Sequence, residues 1–504
     1  MLRRLLVNTS SNMVTLMVKL TITFIMTPVL VHNLGAYDYG LWEIIGSLVG
    51  YAGLLHFGIR PAISRYAAKL RAEGDEAGLR MVYACGIVFL GVVGATLATF
   101  FWLWGVWFPG TLAPEGEAEQ RYTLLLLIVG AQILIIFPGH VAESYLEGFH
   151  KYYLKNNLTL FNSIVGAFVV YKNITPENGI LLLAGVNAVG LSLKYILFFW
   201  ILSRPSMGAV FFRLRFFCWA KLRELLYFGG KTFVSGLAGR VNTKSDALII
   251  GAFLGPATVP LYSIPANLIM HMRGVGFTLA HAFMPLFSDL NARHDVSTAR
   301  SYFLFGSKIV VAIILPMGVG LALVGAPFLE IWIGPEVSEY ADVIVPLLAI
   351  YGLAPLLDPL GRGYLTALDE HGIVAKLMPI GAVLNVALSI ILIHPFGLVG
   401  VALGSLIPSY LFWPIFLRKE CRLLELSVWY YLKTVIGSAL MASLVMMGAV
   451  MWYRANVDIS TYLELLGAVA LGAVVYAAVY SVLFVSRDER DFIMARIRPR
   501  MRRG

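Results

Sequence analysis

The sequence predicts an all-α integral membrane protein, on three observations. The 504 residues are 59% hydrophobic and only 13% charged, with a mean hydropathy of +0.78, whereas a soluble domain carries about 25% charged residues. Apolar runs of about 20 residues, the length that crosses a bilayer core as a helix, recur along almost the whole chain. Basic residues gather between these runs. A water-soluble fold is therefore excluded.

Apolarity, together with punctuation by Gly, Pro and charged residues, predicts about fourteen transmembrane helices. Their approximate ranges are 8–33, 38–59, 82–107, 121–146, 156–171, 179–202, 225–254, 257–284, 301–325, 341–366, 376–394, 397–417, 433–453 and 462–485. The Met-Leu-Arg-Arg start leads into a long span without a small-residue cleavage site, so we expect a retained first helix. The three cysteines form no CxxC pair or disulfide framework, and we expect no metal site and no cofactor.

The basic residues predict the orientation of these helices. An even number of spans places both termini on one side, and Lys and Arg mark the cytoplasmic side. Of the 39 basic residues, only Arg121, Lys172 and Arg454 fall on the side opposite the termini. The opposite loops are short and acidic, with Glu115, Glu117, Glu119, Glu336, Glu339 and Asp342. We therefore expect cytoplasmic termini and no extracytoplasmic domain, and the net charge of +10 does not indicate nucleic-acid binding.

The chain contains an internal repeat at an offset of 220 residues. Residues 34–44 (LGAYDYGLWEI) align with residues 254–264 (LGPATVPLYSI). The same register pairs Asp75 with Asp295, and an offset of 219 pairs Tyr145 with Tyr364. Since each copy has six spans, the copies have parallel topology, as in transporters built from two six-span halves.

The repeat predicts two pseudo-symmetric lobes followed by two extra C-terminal helices. The expected divisions are an N-terminal six-helix lobe (1–202), an amphipathic cytoplasmic linker (203–224), a C-terminal six-helix lobe (225–417), transmembrane helices 13 and 14 (418–486) and a basic cytoplasmic tail (487–504). The linker interleaves Phe and Trp with Arg and Lys, which suits a helix lying on an anionic membrane surface. An ordinary positive-inside linker is the alternative.

Basic residues within predicted spans are the strongest candidates for function. Each costs about 2.5–3.5 kcal/mol at the centre of a lipid-facing helix, so a chain that retains them must supply water or partners. Four lie near mid-span, where they predict a cationic, anion-binding cavity: Lys19, Arg240, Lys244 and Arg273. The alternative is neutralisation by intramembrane acids, namely Asp246, Glu143, Asp358 or Glu43.

Acidic residues within the spans are candidates for gating or coupling. Glu143 and Arg362 each lie two residues before a repeat-equivalent tyrosine, so they could pair as a cytoplasmic gate or act as two unconnected charges. Asp246, Asp358 and Glu43 could bind protons or sodium, or serve as counter-ions to the arginines. His56, His140, His271 and His281 show no metal spacing and are read as polar lining or packed residues.

Two segments resemble a known family. Residues 8–12 (NTSSN), residues 27–35 (TPVLVHNLG) and residues 38–42 (DYGLW) are similar to the N-terminus of polysaccharide transporters, the Wzx-type lipid-linked oligosaccharide flippases of the multidrug/oligosaccharidyl-lipid/polysaccharide superfamily. Residues 244–255 (KSDALIIGAFLG), followed by residues 261–263 (LYS), resemble the second-repeat signature of that family. The resemblance covers spans 1 to 12.

The resemblance implies a transporter of the bacterial inner membrane whose two lobes open alternately to cytoplasm and periplasm. Its substrate would be an undecaprenyl-pyrophosphate-linked glycan, held in a cationic cavity to which Lys19, Arg240, Lys244 and Arg273 would contribute by depth and sign. Spans 13 and 14 would guide the lipid tail. The implied partners are membrane lipids, a glycan polymerase and glycosyltransferases, with proton or sodium coupling.

Three other functions remain as alternatives. A multidrug transporter of the same superfamily is one, although a basic lumen suits the usual cationic drugs poorly. A flippase for the peptidoglycan precursor is the second. The third, an integral-membrane glycan polymerase or ligase, usually calls for a large periplasmic loop with catalytic residues. Because the longest such loop, about residues 108–120, has three glutamates but no Arg/His constellation, we expect no enzyme activity.

Overall fold

The computed structural model describes residues 2–113, 119–207, 210–368, 370 and 372–484. Every long regular element within these residues is a helix, as the sequence predicts. The chain divides between residues 260 and 261 into two compact units. The acidic residues Glu115 and Glu117 and the predicted basic tail (487–504) lie outside the described residues.

The first unit contains seven α-helices in its described part. They are α1 (Leu2–Ala52), α2 (Ile59–Glu73), α3 (Glu76–Trp107), α4 (Glu119–Gly148), α5 (Tyr152–Asn173), α6 (Gly179–Ser203) and α7 (Trp219–Leu254). Helix α4 packs against α3 and α6, and α1 packs against α5 and α7. The unit includes α7 because that helix also packs on α2 and α3. The predicted lobe boundary at residue 225 lies one helix earlier and remains a prediction.

The second unit follows with shorter connections. Its helices are α8 (Val259–His281), α9 (Met284–Ala292), α10 (Val296–Trp332), α11 (Pro335–Ser338), α12 (Ala341–Leu353), α13 (Gly361–Ala367), α14 (Gly372–Phe396), α15 (Leu398–Leu423), α16 (Val428–Tyr431), α17 (Ser438–Asn456) and α18 (Tyr462–Leu483). Helices α14 and α15 form one pair, and α17 and α18 form another that packs on α10. Val324 of α10 and Met446 and Val450 of α17 are buried in that contact.

Ten helices within the described residues are long and apolar enough to cross a membrane. One of them, Met17–His56, covers two predicted spans because α1 continues through a kink. Helices α5, α7 and α8 occupy the positions of three more predicted spans but are not among the ten. Helices α7 and α8 carry Arg240, Lys244, Asp246 and Arg273, so the charges that mark a candidate site also lower the hydropathy of those helices. The count of fourteen remains a prediction.

The kink in α1 lies at a repeat-equivalent glycine. Gly35 has φ 72° and ψ 172°, and Gly255, 220 residues later, has φ 87° and ψ 160°. An L-residue with a side chain is excluded from this region of backbone conformation, which is essentially restricted to glycine. Both copies of the repeat therefore turn at the same point with the same local geometry.

Two further repeat positions have matching structures. The side chain of Asp75 caps α3 by accepting from the Gly78 backbone N–H, and Asp295 caps α10 by accepting from that of Thr298. Such caps satisfy backbone donors that the first helical turn leaves without partners. The ring of Tyr145 meets that of Tyr83 with centroids 5.2 Å apart, and Tyr364 meets Phe303 at 5.9 Å. The repeat seen in the sequence thus preserves caps, turns and aromatic packing.

Candidate functional site

Arg240 and Lys244 lie one helical turn apart on α7 and pack against α1 and the segment just after it. The Arg240 guanidinium donates from Nη1 to the Gly50 carbonyl at 3.2 Å. The aliphatic stem of Lys244 lies 3.5–3.6 Å from the point where a Gly50 Cβ would stand. A Cβ at Gly53 would collide with the Arg240 guanidinium. The missing side chain at Gly53 therefore makes the room that the Arg240 guanidinium occupies, whereas the Lys244 stem lies at ordinary van der Waals distance from position 50.

This arrangement leaves capacity for an anion. Both Arg240 and Lys244 are half-buried. A guanidinium has five N–H donors, and a single backbone carbonyl accepts only part of that capacity. Charge-assisted hydrogen bonds to phosphate are about twice as strong as neutral ones. The Arg240–Lys244 pair can thus present two positive charges from one helix face to an anionic group.

Two candidate acids near this pair have local neighbours of their own. Asp246 is half-buried and lies beside Tyr51, and residues two apart on a helix do not share a face. Glu43 interacts with Tyr39, a buried residue one turn earlier on α1.

The other two predicted cavity cations occupy different positions. Lys19 lies on α1 before the Gly35 kink and its side chain is exposed, whereas Arg240 packs beyond the kink. Arg273 lies on α8 in the second unit. Its guanidinium carbon is 5.2 Å from the centre of the Tyr351 ring and 5.8 Å from that of Phe277, and its buried Nε has no hydrogen-bond partner among the described residues. A cavity shared by all four cations remains a prediction.

Glu143 lies in a polar network that joins four helices of the first unit. Its carboxylate is 3.5 Å from Nη2 of Arg60 on α2 and 3.7 Å from Nζ of Lys155 on α5. Tyr195 of α6 interacts with it, and Lys155 also pairs with Glu147 at 2.7 Å. The sequence identified Glu143 but not these partners, because they lie on three other helices.

A histidine pair adjoins this network. Nδ1 of His140 on α4 lies 2.9 Å from Nε2 of His56, and Nδ1 of His56 is hydrogen-bonded to the Gly53 carbonyl. Since that carbonyl can only accept, His56 carries its proton on Nδ1 and accepts from His140 on Nε2. The pair lies 84 residues apart in the sequence, so no local spacing could have indicated it.

Arg362 and Asp358 lie together in the second unit. Asp358 is 2% exposed and interacts with the Arg362 guanidinium, whose central carbon is 5.6 Å from the centre of the Phe416 ring. Both residues line a cavity of about 240 Å³ together with His281, Met284 and Thr366. Glu420, which is fully buried, also interacts with Asp358. Glu420 was not predicted as a site residue because the predicted span ends at residue 417, whereas α15 continues to Leu423.

The linker is attached to α2 by an exposed polar contact. The Tyr66 hydroxyl donates to Oε1 of Glu224 at 2.6 Å, and Nζ of Lys221 donates to Oε2 at 2.9 Å. Hydrogen bonds from Lys221 and Tyr66 lower the pKa of Glu224. The hydrogen bond to the carboxylate in turn raises the pKa of Tyr66. This contact places the start of α7 against α2.

Taken together, these features define a class of protein. Apolar helices long enough to cross a bilayer, a repeated architecture and half-buried cations on helices that occupy predicted spans are typical of multi-pass membrane transporters.

The chain belongs to the polysaccharide biosynthesis protein family, whose model matches residues 5–291, more than half of its length. It is 23% identical over 389 residues to a Shigella flexneri protein assigned as an O-antigen transporter, covering 74% of this chain and 88% of that one. It is 22% identical over 257 residues to a Haloferax volcanii protein assigned as the low-salt glycan biosynthesis flippase Agl15, covering 51% of this chain and 54% of that one.

A solved structure shares the fold. The lipid II flippase MurJ, in an inward closed conformation, matches with a TM-score of 0.70 and 16% identity over 97% of this chain and 100% of that one. The expected fold class and family are therefore confirmed: the chain is a multi-pass membrane transporter of polysaccharide biosynthesis.

Proposed function

We propose that this chain is a flippase that moves an undecaprenyl-linked oligosaccharide or polysaccharide intermediate across the bacterial inner membrane by alternating access. The observation that carries the proposal is the Arg240–Lys244 pair. The Arg240 guanidinium donates to the Gly50 carbonyl, fills the space beside Gly53 and has further N–H donors for an anion. A pyrophosphate linked to lipid is the anion in this substrate. The family membership and the glycan-transporting relatives support the same substrate class.

The role of the cations can be tested through surface glycan. We expect Arg240→Ala and Arg273→Ala each to reduce glycan display strongly and the double variant to abolish it, because both remove charge-assisted hydrogen bonds. Membrane abundance of the chain is measured in parallel. Arg293→Ala is the matched control, since it removes an arginine whose side chain is 70% exposed. Full glycan display by the double variant would contradict the proposed role of the cations.

A lysine substitution separates charge from geometry. Arg240→Lys keeps the charge but loses the planar fork that contacts phosphate through two parallel hydrogen bonds. Partial retention of glycan display indicates that charge alone suffices at this position. Loss equal to that of Arg240→Ala indicates bidentate contact.

Glu143 and Arg362 are proposed as a cytoplasmic gate. If they pair in the closed state, removing either residue lowers the stability of that state, and the swapped pair Glu143→Arg with Arg362→Glu recovers transport. A double-mutant cycle on transport rate tests this idea. Absence of coupling in the cycle would reject the gate. Glu143 would then act only within its network with Arg60 and Lys155, and Arg362 only as a charge that lines the cavity.

The orientation and partners belong to the same proposal. Both termini would be cytoplasmic, and the substrate would pass from cytoplasmic glycosyltransferases to a periplasmic polymerase. Proton or sodium movement would drive transport. The chain would act as a carrier and not as an enzyme.

A flippase for the peptidoglycan precursor is the alternative, because the lipid II flippase MurJ has the same fold. That likeness carries the fold alone. Complementation separates the two functions: the proposal requires rescue of glycan display in a strain lacking its glycan flippase, whereas the alternative requires rescue of growth in a strain lacking its precursor flippase.

A further inference from the structure

A pair of buried carboxyl groups lies at one end of the second unit. Asp358 is 2% exposed and Glu420 is 0% exposed. Acidic side chains are almost never fully buried unless they are paired with a partner. The environment of these two groups therefore determines which protonation state they can adopt.

Glu420 lacks a hydrogen-bond donor. Neither Oε1 nor Oε2 has a partner among the described residues. The carboxyl group lies against the backbone of Gly361, where an added Cβ would collide with both oxygens. The backbone N–H of the same Gly361 donates to the Asp358 carbonyl at 3.1 Å, so Gly361 adjoins both acids, and the Asp358 carboxyl group interacts with that of Glu420. Two acceptor groups thus face each other, and a proton between them would supply the missing donor.

The surrounding groups provide one positive charge for two acids. Arg362 interacts with both carboxyl groups. The Tyr431 hydroxyl lies nearby but donates to the Leu357 carbonyl at 2.9 Å, so its proton is already engaged. Cys421 adjoins the pair, and a thiol is only a weak donor. Two ionised carboxylates beside a single guanidinium would leave a buried negative charge, which is strongly unfavourable.

We propose that Asp358 and Glu420 form a proton-binding site that holds one proton between the two carboxyl groups. Binding converts one carboxylate into a carboxylic acid whose O–H donates to the other carboxylate, while the hydronium that delivers the proton becomes water. The Arg362 guanidinium balances the remaining negative charge. Like-charged carboxyl groups in close contact take up a proton in this way because both cannot remain ionised.

The cavity beside the pair provides a route for the proton. It has a volume of about 240 Å³, and Asp358 lines it together with His281 and Arg362. Glu420 is not among the residues that line it. Water in the cavity can therefore exchange protons with Asp358, which relays them to Glu420.

A proton fits this site better than a metal ion. The described residues contain no group of three or more His, Cys, Asp or Glu side chains that could hold a metal ion. A metal ion at the pair would also be repelled by the Arg362 guanidinium, whereas a shared proton leaves one carboxylate to pair with it.

The position of the site links it to a neighbouring helix. Tyr431 ends α16 and precedes a π-helical segment, Leu432–Gly437, that leads into α17. Loss of the shared proton would place a second negative charge next to this segment. Single-turn π segments are often found at functional positions. As a consequence that rests on the proposed function, proton release at this pair would drive one step of the transport cycle.

Infrared difference spectroscopy tests the site directly. The purified full-length protein in lipid nanodiscs is titrated from acid to alkaline pH, and the carbonyl stretch of a protonated carboxylic acid is followed. We expect a band at neutral pH that shifts in D₂O and is lost in both Asp358→Asn and Glu420→Gln, because each remaining acid then has Arg362 and an amide donor. Glu425→Gln is the control, since Glu425 is a 77% exposed glutamate five residues away.

A second variant tests the site if Asp358→Asn or Glu420→Gln does not fold. Gly361→Ala keeps both acids but moves the Glu420 carboxyl group, so we expect its band to shift in frequency. The inference is overturned if the wild-type protein has no such band at neutral pH, or if the band survives Asp358→Asn and Glu420→Gln. The spectra need no substrate, so a negative result in the glycan assay with a normal band rejects the proposed function and leaves the proton site intact.

Discussion

Gly53 offers a sharp test of the Arg240 site because substitution there acts on one side chain. A methyl group at position 53 would occupy space now filled by the Arg240 guanidinium. The obstacle is the far end of a flexible side chain, so Gly53→Ala should fold while forcing Arg240 away from Gly50. The substitution thus perturbs the site without removing its charge.

The expected magnitude follows from the hydrogen bond that is lost. Arg240 donates to the Gly50 carbonyl at 3.2 Å, and a hydrogen bond involving a charged group contributes about 1.5–3 kcal/mol. Since each 1.4 kcal/mol is a factor of about ten, displacement of the guanidinium should reduce transport by roughly 10- to 100-fold. The upper limit applies if no alternative position retains the contact with substrate.

The assay is the rate of surface glycan recovery, normalised to membrane abundance. Gly46→Ala is the matched control, because it makes the same substitution on α1, seven residues before Gly53, where nothing lies within 4 Å of the new Cβ. In the double variant with Arg240→Ala, Gly53→Ala should add no further defect. If Gly53→Ala transports as well as Gly46→Ala, or if its effect adds fully to that of Arg240→Ala, the reasoning about this contact is wrong.

Three further predictions address fold and topology. Gly35→Ala and Gly255→Ala should each destabilise the protein by about 1–3 kcal/mol because of their backbone conformation, measured by thermal unfolding against Gly46→Ala; equal midpoints would contradict this. The lowered pKa of Glu224 means that its carboxylate stabilises the fold fully at pH values above the ordinary glutamate pKa. This stabilisation is lost as the pH falls through the lowered pKa. Glu224→Gln should remove this pH dependence of the free energy of unfolding, which amounts to less than about 1 kcal/mol because the group is exposed. Identical stability-versus-pH profiles for the wild type and the variant would argue against the contact. In a chain without native cysteines, an impermeant maleimide applied from the periplasm should label single cysteines at 113, 175 and 457 but not at 74, 150 and 220; the reverse pattern at any of these sites would mean a miscounted span.

The sequence predicted the features of the fold that depend on local chemistry. Apolar length predicted the helices. The repeat paired Gly35 with Gly255 and Asp75 with Asp295, and the structure shows equivalent turns at the first pair and equivalent caps at the second. These features arise within a few residues of chain, so pattern and structure coincide. The count of fourteen spans stays a prediction, because α1 runs through its kink as one helix and because α5, α7 and α8 are not among the ten described helices that are long and apolar enough to cross a membrane.

The candidate sites were predicted only in part, because contacts between helices that are distant in the chain produce no pattern in the local sequence. Helical spacing placed Arg240 and Lys244 on one face, but only the structure shows that Gly50 and Gly53, about 190 residues earlier, receive them. The His56–His140 pair was missed for the same reason. Glu420 was missed because helix ends cannot be located closely from composition.

The contact between α7 and the Gly50 carbonyl also bears on how the chain is inserted during synthesis. Arg240 and Lys244 each add about 2.5–3.5 kcal/mol to the cost of moving α7 into lipid, so α7 is a poor substrate for insertion as an isolated helix. Chains emerge N-terminus first, and α1 is complete long before α7 leaves the ribosome. The acceptor carbonyl of Gly50 and the space at Gly53 are therefore already in place when Arg240 and Lys244 are inserted. The earlier helices can thus provide the polar contacts that lipid cannot give to this charged helix.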